Sequence, residues 1–278
     1  MTDVATEPGS SPPPPSPFAA PRHVDDPTEC DFYHTMELPE LGLVEGKWDL
    51  RGCVDRYLGG ESVAGVRVLE VGTASGFLCF EMERRGAEVV AFDLSDAHPA
   101  DIVPRPDLGL SPQRIHALSA PGIRRSNNAF WLAHRLLGSR ARVVHGSVYA
   151  IPRGIGAIDT VTVGCVLEHL RDPFGALAQA AEIASSRLIV TCVISRRHLP
   201  MLLLGALGIA GQGFLPRAAH REAYISWWSL TPRLVREALA VLGFGDGRVT
   251  YLRARHRGRS TWLFCVAARR TTGAPRPA

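Results

Sequence analysis

Short apolar runs alternate with amphipathic stretches over residues 66–195, and this alternation predicts strands and helices in turn. Strands are predicted at residues 66–71, 88–93, 142–146, 158–166 and 188–194, and helices at 77–85, 128–137 and 173–185. Five prolines between residues 97 and 124 predict an irregular segment there, because proline interrupts helices. Strands that alternate with helices form a parallel sheet covered on both faces. The pattern therefore predicts an α/β fold.

The pattern changes after residue 195. Residues 196–222 contain "LPMLLLGALGIAGQGFLP", which is too short and too rich in Gly and Pro for a membrane span of about 20 residues. This stretch predicts a lid, a wall of a substrate pocket or a dimer contact. "SLTPRLVREALAVLGFG" predicts a helix that begins at Thr231 and Pro232 and stops near Gly243. Two β-like runs, 248–253 and 261–267, close the domain, and residues 269–278 are expected to be a flexible tail.

Residues 1–65, which precede the first predicted strand, divide into two parts. Residues 1–29 are rich in Pro, Ser and Ala, and such a composition predicts a disordered tail. Residues 30–65 are denser in aromatic and charged residues and are predicted to form a cover segment on the main domain, residues 66–268. No basic segment followed by an apolar run is visible at the start, so no signal peptide is expected.

Composition agrees with a single domain that carries additions. The chain has 278 residues, of which 46% are hydrophobic, and a formal net charge of +4. Residues 1–29 are acidic, so the rest is more basic, which mildly favours an anionic ligand or partner. The six cysteines form no C-x-x-C pair, which predicts buried free thiols, no metal site and a reducing cytoplasm.

The richest chemical signal lies in "VLEVGTASGFLCFEMERRGAEVVAFDLSD", residues 68–96. Gly72, Ala74 and Gly76 follow the first strand, where small residues allow a ligand to approach the backbone. Asp93 ends the adjacent strand, a place where a carboxylate typically binds ribose hydroxyls. The nicotinamide fingerprint G-x-G-x-x-G fails at Ala74 and Phe77, and no G-K-[ST] of a P-loop follows. A tight structural turn and a helix cap are the plainer alternatives.

These segments resemble a known family. "VLEVGTASG", "VVAFDLSD", "VVHGSVYAIP" and "IDTVTVGCVLEHLRDPFGAL" are similar, in this order, to the motifs of class I S-adenosylmethionine (SAM)-dependent methyltransferases. "FYHTMELPELGLVEGKWDLRG", "NNAFWLAHRLLGSRARVVHGSVYAIP" and "LEHLRDPFGAL" resemble a bacterial subgroup related to the tRNA wobble-uridine modifying methyltransferases. The resemblance covers about residues 30–195 and, weakly, 224–268. It implies a Rossmann-like sheet of seven mostly parallel strands, the last antiparallel, with an N-terminal cover segment and an insertion before the last helix.

The resemblance also implies a set of cofactor-binding residues for SAM, whose product is S-adenosylhomocysteine. Ser147 stands where such families often have Asp, so the adenine contact would pass to its hydroxyl or to the backbone of Val148. Arg51 or Lys47 would pair with the SAM carboxylate. The full cofactor set is Glu70, Gly72, Thr73, Ala74, Gly76, Asp93, Leu94, Ser147, Val148, Cys165, Trp48 and Arg51.

Candidates for catalysis and substrate binding follow the fourth strand and flank the core. His169 is the first candidate for a general base, since its unperturbed pKa is about 6.5, and His34 is the second. The predicted substrate set is Tyr33, Arg171, Tyr224, Trp227 and Trp228. Each has a structural alternative, such as anchoring a loop or a lid. Arg253, Arg255, Arg257 and Arg259 would share one face of a strand and either bind phosphate or form a solvated hairpin end.

The sequence thus predicts a methyltransferase that uses SAM and acts on a small-molecule acceptor, in specialised (natural-product) metabolism. A tRNA-modifying enzyme is the alternative, because the subgroup resemblance and the C-terminal arginines favour it. A SAM-binding protein without turnover is a third hypothesis. No membrane partner is expected, a homo-oligomer is left open, and the acceptor atom is not determined.

Overall fold

The computed structural model describes residues 16–194, 199–217 and 225–271. The elements of the first half are Met36–Leu38 (β1), Gly42–Val44 (β2), Trp48–Asp49 (β3), Val54–Tyr57 (α1), Arg67–Val71 (β4), Phe77–Arg84 (α2), Glu88–Asp93 (β5), Pro112–Leu136 (α3) and Arg142–His145 (β6). Those of the second half are Ile158–Gly164 (β7), Pro173–Ile183 (α4), Ala184–Val193 (β8), Leu199–Ala206 (α5), Gln212–Phe214 (β9), Trp228–Leu230 (β10), Pro232–Val241 (α6), Phe244–His256 (β11) and Arg259–Arg270 (β12).

One large mixed sheet organises the molecule, with strand order β3-β11-β12-β8-β7-β4-β5-β6. Strands β8, β7, β4, β5 and β6 run parallel, and β12 is antiparallel to both of its neighbours. The central strands are apolar on both sides, as in Val68 and Leu69, which are both fully buried. Two apolar clusters fill the space between the sheet and its helices. The α/β prediction is confirmed.

The sheet has eight strands rather than the seven that were predicted. The additional strand is β3, a two-residue segment of the N-terminal cover that pairs antiparallel with the end of β11. Its pairs are Arg255 with Asp49 and His256 with Trp48. Two residues carry no period-2 alternation, so this strand left no pattern in the sequence.

The largest difference from the sequence prediction is helix α3, which spans 25 residues and contains Pro121. Residues 112–124, predicted as irregular, belong to it, whereas its end lies within the helix predicted at 128–137. Ser111 caps the helix by accepting a hydrogen bond from the Arg114 amide, and Pro112 occupies the first turn, where proline is favourable. The sequence reading treated Pro112 as a helix breaker, although in this position it is a start signal.

The cover segment and the residues before it pack on this domain. The prediction of a disordered tail is wrong for residues 16–29, while residues 1–15 lie outside the described part. The Ala19 amide donates to the Val143 carbonyl at 2.8 Å, and the Arg22 guanidinium donates to Asn128 Oδ1 at 2.9 Å. Val24 is buried. These contacts add the segment to the edge of the sheet at β6.

The insertion contributes α5 and β9, and β9 pairs antiparallel with β10, which follows the insertion. The Trp227 amide donates to the Glu168 carbonyl at 2.6 Å, which ties the segment after the insertion to the loop after β7. Residues 195–198 and 218–224, part of this stretch, lie outside the described residues, as does the end of the predicted C-terminal tail. In the described part of the chain, no helix is both long and apolar enough to cross a membrane.

Candidate functional site

A cavity of about 400 Å³ opens at the carboxyl ends of β4, β5 and β7. Ligands of open α/β sheets bind at this edge, because the strand-to-helix loops leave a crevice there. The wall is formed by the cover segment, the loops after four parallel strands, the segment after β5 and the residue that follows the undescribed part of the insertion. The cavity thus gathers regions that are far apart in the sequence.

The turn after β4 forms the floor of this cavity. Gly72 has φ +85° and Ala74 has φ +47°, both in the left-handed region. A Cβ at Gly72 would overlap Val166 Cγ2. Gly76, the residue before α2, has φ +88°, and a Cβ there would overlap the rings of Phe80 and Phe130. Gly72 and Ala74 line the cavity, whereas Gly76 serves the packing beneath the loop.

Glu70 closes the inner end of the turn. Its Oε2 accepts a hydrogen bond of 2.7 Å from Thr73 Oγ1, and both residues are buried. Burial raises the pKa of Glu70 to about 8, since removal from water disfavours the carboxylate. Glu70 lines the cavity, while Thr73 supports it from behind. A cationic group placed here would favour the ionised form of Glu70.

Asp93 joins the ends of β4 and β5. Its Oδ2 accepts from the Ala74 amide and its Oδ1 from the Leu94 amide, both at 2.7 Å. Burial raises its pKa, although the two amide hydrogen bonds act in the opposite direction. Each carboxylate oxygen retains acceptor capacity beyond these bonds, and Asp93 and Leu94 line the cavity. The geometry suits two hydroxyl donors side by side.

The loop after β6 brings Ser147, Val148 and Tyr149 to the wall. Ser147 Oγ accepts from the Tyr149 amide at 3.3 Å. The Tyr149 hydroxyl donates to Asp101 Oδ2 at 2.6 Å. Asp101 was missed by the sequence analysis, because it lies in the proline-rich stretch that gave no motif.

The cover segment forms the roof. Tyr33, His34 and Trp48 line the cavity. The His34 amide donates to Ser75 Oγ at 2.9 Å, and burial lowers the pKa of the His34 ring to about 4, so the imidazole is neutral near pH 7. Burial raises the pKa of Tyr33 to about 12. A base with so low a pKa has little driving force for proton abstraction, which weakens the catalytic candidacy of His34.

Arg51 and Lys47, the expected partners of a cofactor carboxylate, are engaged elsewhere. The Arg51 guanidinium binds Asp49 in bidentate fashion, with both nitrogen–oxygen distances at 2.9 Å. Lys47 Nζ forms an ion pair with Asp31 at 2.8 Å. Neither residue lines the cavity. The prediction of a cationic clamp in the cover segment is therefore not matched by the geometry.

His169 lies in the short 3₁₀ turn after β7 and lines the cavity. Its Nδ1 is hydrogen-bonded to the Ile225 carbonyl oxygen. Because a carbonyl can only accept, Nδ1 carries the proton in the neutral ring and Nε2 carries the lone pair. Cys165, with φ +53°, also lines the cavity, and its Sγ lies 3.6 Å from the Tyr57 hydroxyl. Left-handed backbone at a non-glycine residue often accompanies a functional site.

Three further substrate candidates, Arg171, Trp227 and Trp228, do not line the cavity. Arg171 forms an ion pair with Asp101. Trp227 Nε1 donates to the Asp101 carbonyl at 3.1 Å, and Trp228 Nε1 donates to the Leu170 carbonyl at 2.9 Å. The two tryptophans thus anchor the segment that follows the insertion rather than present a stacking surface. Tyr224 lies outside the described residues.

A family model described as a methyltransferase domain matches residues 49–237, more than half of the chain. The protein belongs to this methyltransferase family. A search of curated proteins gave no match.

Solved structures with a similar chain course include several methyltransferases. The Synechocystis magnesium protoporphyrin IX methyltransferase, crystallised with S-adenosylhomocysteine, is 19% identical, with a TM-score of 0.45 over 78% of this chain and 80% of that chain. A Burkholderia thailandensis 1,6-didemethyltoxoflavin-N1-methyltransferase is 17% identical, with a TM-score of 0.45 over 78% and 76%. A SAM-dependent methyltransferase from Methanosarcina mazei is 16% identical, with a TM-score of 0.48 over 80% and 98%.

In this methyltransferase, most of the predicted site residues meet around one cavity. The predicted residues that line it are Tyr33, His34, Trp48, Glu70, Gly72, Ala74, Asp93, Leu94, Ser147, Val148, Cys165 and His169. Lining residues that the sequence analysis missed include Tyr57, Asp101, Tyr149 and Ile225. The signal for Tyr57 was absent because α1 has only four residues, and Asp101 and Ile225 lie outside any motif. Tyr149 lies within "VVHGSVYAIP" but was not singled out there.

The C-terminal arginines lie away from this cavity. Arg253 and Arg255 belong to β11, and Arg257, with φ +48°, lies in the turn before Arg259. The Arg253 guanidinium stacks over the Trp262 ring at 4.3 Å. The four residues are therefore part of the hairpin of β11 and β12, and none lines the cavity.

Proposed function

We propose that the protein transfers the methyl group of SAM to a small-molecule acceptor. One observation carries this proposal: a single cavity brings together the glycine turn after β4, the Asp93 carboxylate after β5 and the His169 ring after β7. Its volume, about 400 Å³, is within the usual range for small-ligand sites. The family match to a methyltransferase domain supports the reaction class.

The residues of the cavity fit the cofactor. Asp93 would accept hydrogen bonds from the ribose hydroxyls, and the Gly72 turn would lie against the ribose and the methionine chain. Glu70 would face the methionine ammonium group, whose charge would bring the raised pKa of this carboxyl down again. Leu94 and Val148 would flank the adenine.

When bound, SAM supplies an electrophilic methyl group on a sulfonium centre. The protein then has to hold the nucleophile in line at about 3–3.5 Å and keep water away. The roof formed by Tyr33 and Trp48 would exclude water. His169 Nε2 would take the proton of an acceptor that is not ionised at neutral pH.

The positions of the C-terminal arginines favour small-molecule methylation over tRNA modification. Nucleic-acid binding rests on Lys and Arg contacts with phosphates, and the Arg253 to Arg259 group is on the hairpin of β11 and β12, not at the cavity. A role in specialised metabolism remains our prediction from the apolar insertion. The tRNA alternative would require binding that falls steeply with salt.

A pair of glycine variants tests the cofactor site. Gly72 and Gly59 both have positive φ, and a Cβ at either would overlap a neighbour, Val166 at the cavity or Ala267 in the core. We expect Gly72→Ala and Gly59→Ala to lower the melting temperature, but only Gly72→Ala to weaken S-adenosylhomocysteine binding measured by calorimetry. Equal affinities for the two variants would contradict the proposed site.

The assay for turnover uses the full chain with SAM and candidate acceptors. Formation of S-adenosylhomocysteine that depends on an acceptor supports the enzyme. Tight SAM binding without product from any acceptor supports the hypothesis of a non-catalytic binding protein instead.

A further inference from the structure

The cavity has an unusual charge character for a chain with a positive net charge. Its described lining contains no lysine and no arginine, but three carboxyl side chains, those of Glu70, Asp93 and Asp101. The basic side chains identified nearby are held by acids: Lys47 by Asp31 and Arg171 by Asp101. The described wall therefore offers an anion no Lys or Arg partner.

An anionic acceptor would be strongly disfavoured in such a place. Burying an unpaired carboxylate or phosphate costs several kcal/mol, because its hydration is lost without a compensating charge. A neutral molecule avoids this cost, and the apolar residues Val166, Leu170 and Ile225 can bury its hydrocarbon surface.

The position of the proton on the His169 ring further restricts the class of acceptor. The Ile225 carbonyl fixes the His169 tautomer, so that Nε2 is the nitrogen with a free lone pair. A lone pair at this place serves an acceptor that must lose a proton when the methyl group arrives. A neutral hydroxyl is such a group, whereas an unprotonated amine attacks with its own lone pair before it loses its proton.

We infer that the acceptor is a neutral, largely apolar molecule that is methylated on a hydroxyl group, such as a phenol. This inference rests on the proposed function and deepens it. In the reaction, the hydroxyl oxygen forms a bond to the methyl carbon while the carbon–sulfur bond breaks. The hydroxyl proton passes to His169 Nε2, and the sulfur keeps the bonding electron pair and leaves as the neutral sulfide of S-adenosylhomocysteine.

The test compares matched probes on the full chain. Affinities of 2-naphthol and 6-hydroxy-2-naphthoate are measured by calorimetry in the presence of S-adenosylhomocysteine, whose own affinity is measured first. We expect 2-naphthol to bind at least about tenfold more tightly, a difference of about 1.4 kcal/mol. Equal binding, including equally weak binding, or preference for the naphthoate overturns the inference.

A variant pair tests the electrostatic reason. Ile225→Lys adds an ammonium group to the wall at a residue that is 63% exposed, so folding should tolerate it. Val241→Lys, at a residue that is 76% exposed and does not line the cavity, is the control. We expect Ile225→Lys to lower the preference for naphthol by about tenfold, and Val241→Lys to leave it unchanged. No difference between the variants contradicts the argument.

Turnover tests the hydroxyl. SAM consumption with 2-naphthol should exceed that with 2-naphthylamine at pH 8, and equal rates overturn the assignment to oxygen. Failure of this inference is distinguishable from failure of the proposed function. A protein that binds S-adenosylhomocysteine but prefers the anionic probe or the amine refutes only the acceptor class, whereas one that does not bind the cofactor product refutes both.

Discussion

Replacement of Asp93 by asparagine is the most direct perturbation of the proposed cofactor site. The side chain keeps its size, but one carboxylate oxygen becomes an NH₂ group. In the wild type, the two oxygens each accept from a backbone amide, of Ala74 and of Leu94, at 2.7 Å. In Asp93→Asn, the NH₂ group must face one of these amides, donor against donor, or turn toward a ribose hydroxyl.

The magnitude follows from the bonds that are lost. Hydrogen bonds to a charged group contribute about 1.5–3 kcal/mol each. The two amide bonds form with and without the ligand, so the affinity changes through the two ribose bonds, both of which lose their charged acceptor. Taking the lower value for each gives about 3 kcal/mol, or roughly 100-fold in affinity.

The assay is calorimetric titration of S-adenosylhomocysteine into wild type, Asp93→Asn and a matched control. Asp159 is the control, because its Oδ2 also accepts from a backbone amide, that of Arg67 at 2.8 Å, but near the start of β7 at the opposite edge of the sheet. Asp159→Asn should lower stability without changing affinity. An Asp93→Asn affinity within about threefold of wild type would refute the ribose role.

Three further predictions concern protons and packing. His169→Gln should lower kcat about 100-fold and leave S-adenosylhomocysteine affinity unchanged, since Gln cannot take a proton; unchanged kcat would remove His169 as the base. Burial raises the pKa of Glu70 from 4.5 to about 8, so the folded apo-protein holds a proton that the unfolded chain loses, and stability should fall as pH rises from 4.5 to 8. Thermal melts of Glu70→Gln should show a flatter profile in that window, and identical slopes would contradict the assignment. Tyr149→Phe removes the hydrogen bond to Asp101 and should cost about 1 kcal/mol in urea unfolding; no shift of the midpoint would show that this bond contributes nothing.

The floor of the cavity could be predicted from the sequence because its residues lie at strand ends. In a parallel sheet, the carboxyl ends of neighbouring strands meet at one edge, so Gly72, Asp93 and His169 had to lie close together. The periodicity of the apolar runs determined those ends to within two residues.

Other parts of the cavity could not be predicted in this way. Asp101 is positioned by partners 48 and 70 residues away, Tyr149 and Arg171, and no local pattern encodes such contacts. Asp49 lies two positions before Arg51, and the Arg51 guanidinium binds this neighbouring carboxylate instead of reaching the cavity. The last third of helix α3 was predicted, but its start was missed, because Pro112 is read as a stop unless Ser111 is recognised as its cap.

The arrangement at β11 bears on how copies of this protein behave toward one another. Among the described residues, β3 pairs with the outer side of this 13-residue strand only at Arg255 and His256. A long outer strand of a sheet offers unpaired backbone groups to a strand of another molecule, and charged side chains oppose that pairing. The exposed Arg253 and Arg255 bring positive charge to this border. We expect these two arginines, which first suggested a phosphate site, to disfavour pairing of this strand with the same strand of a second molecule.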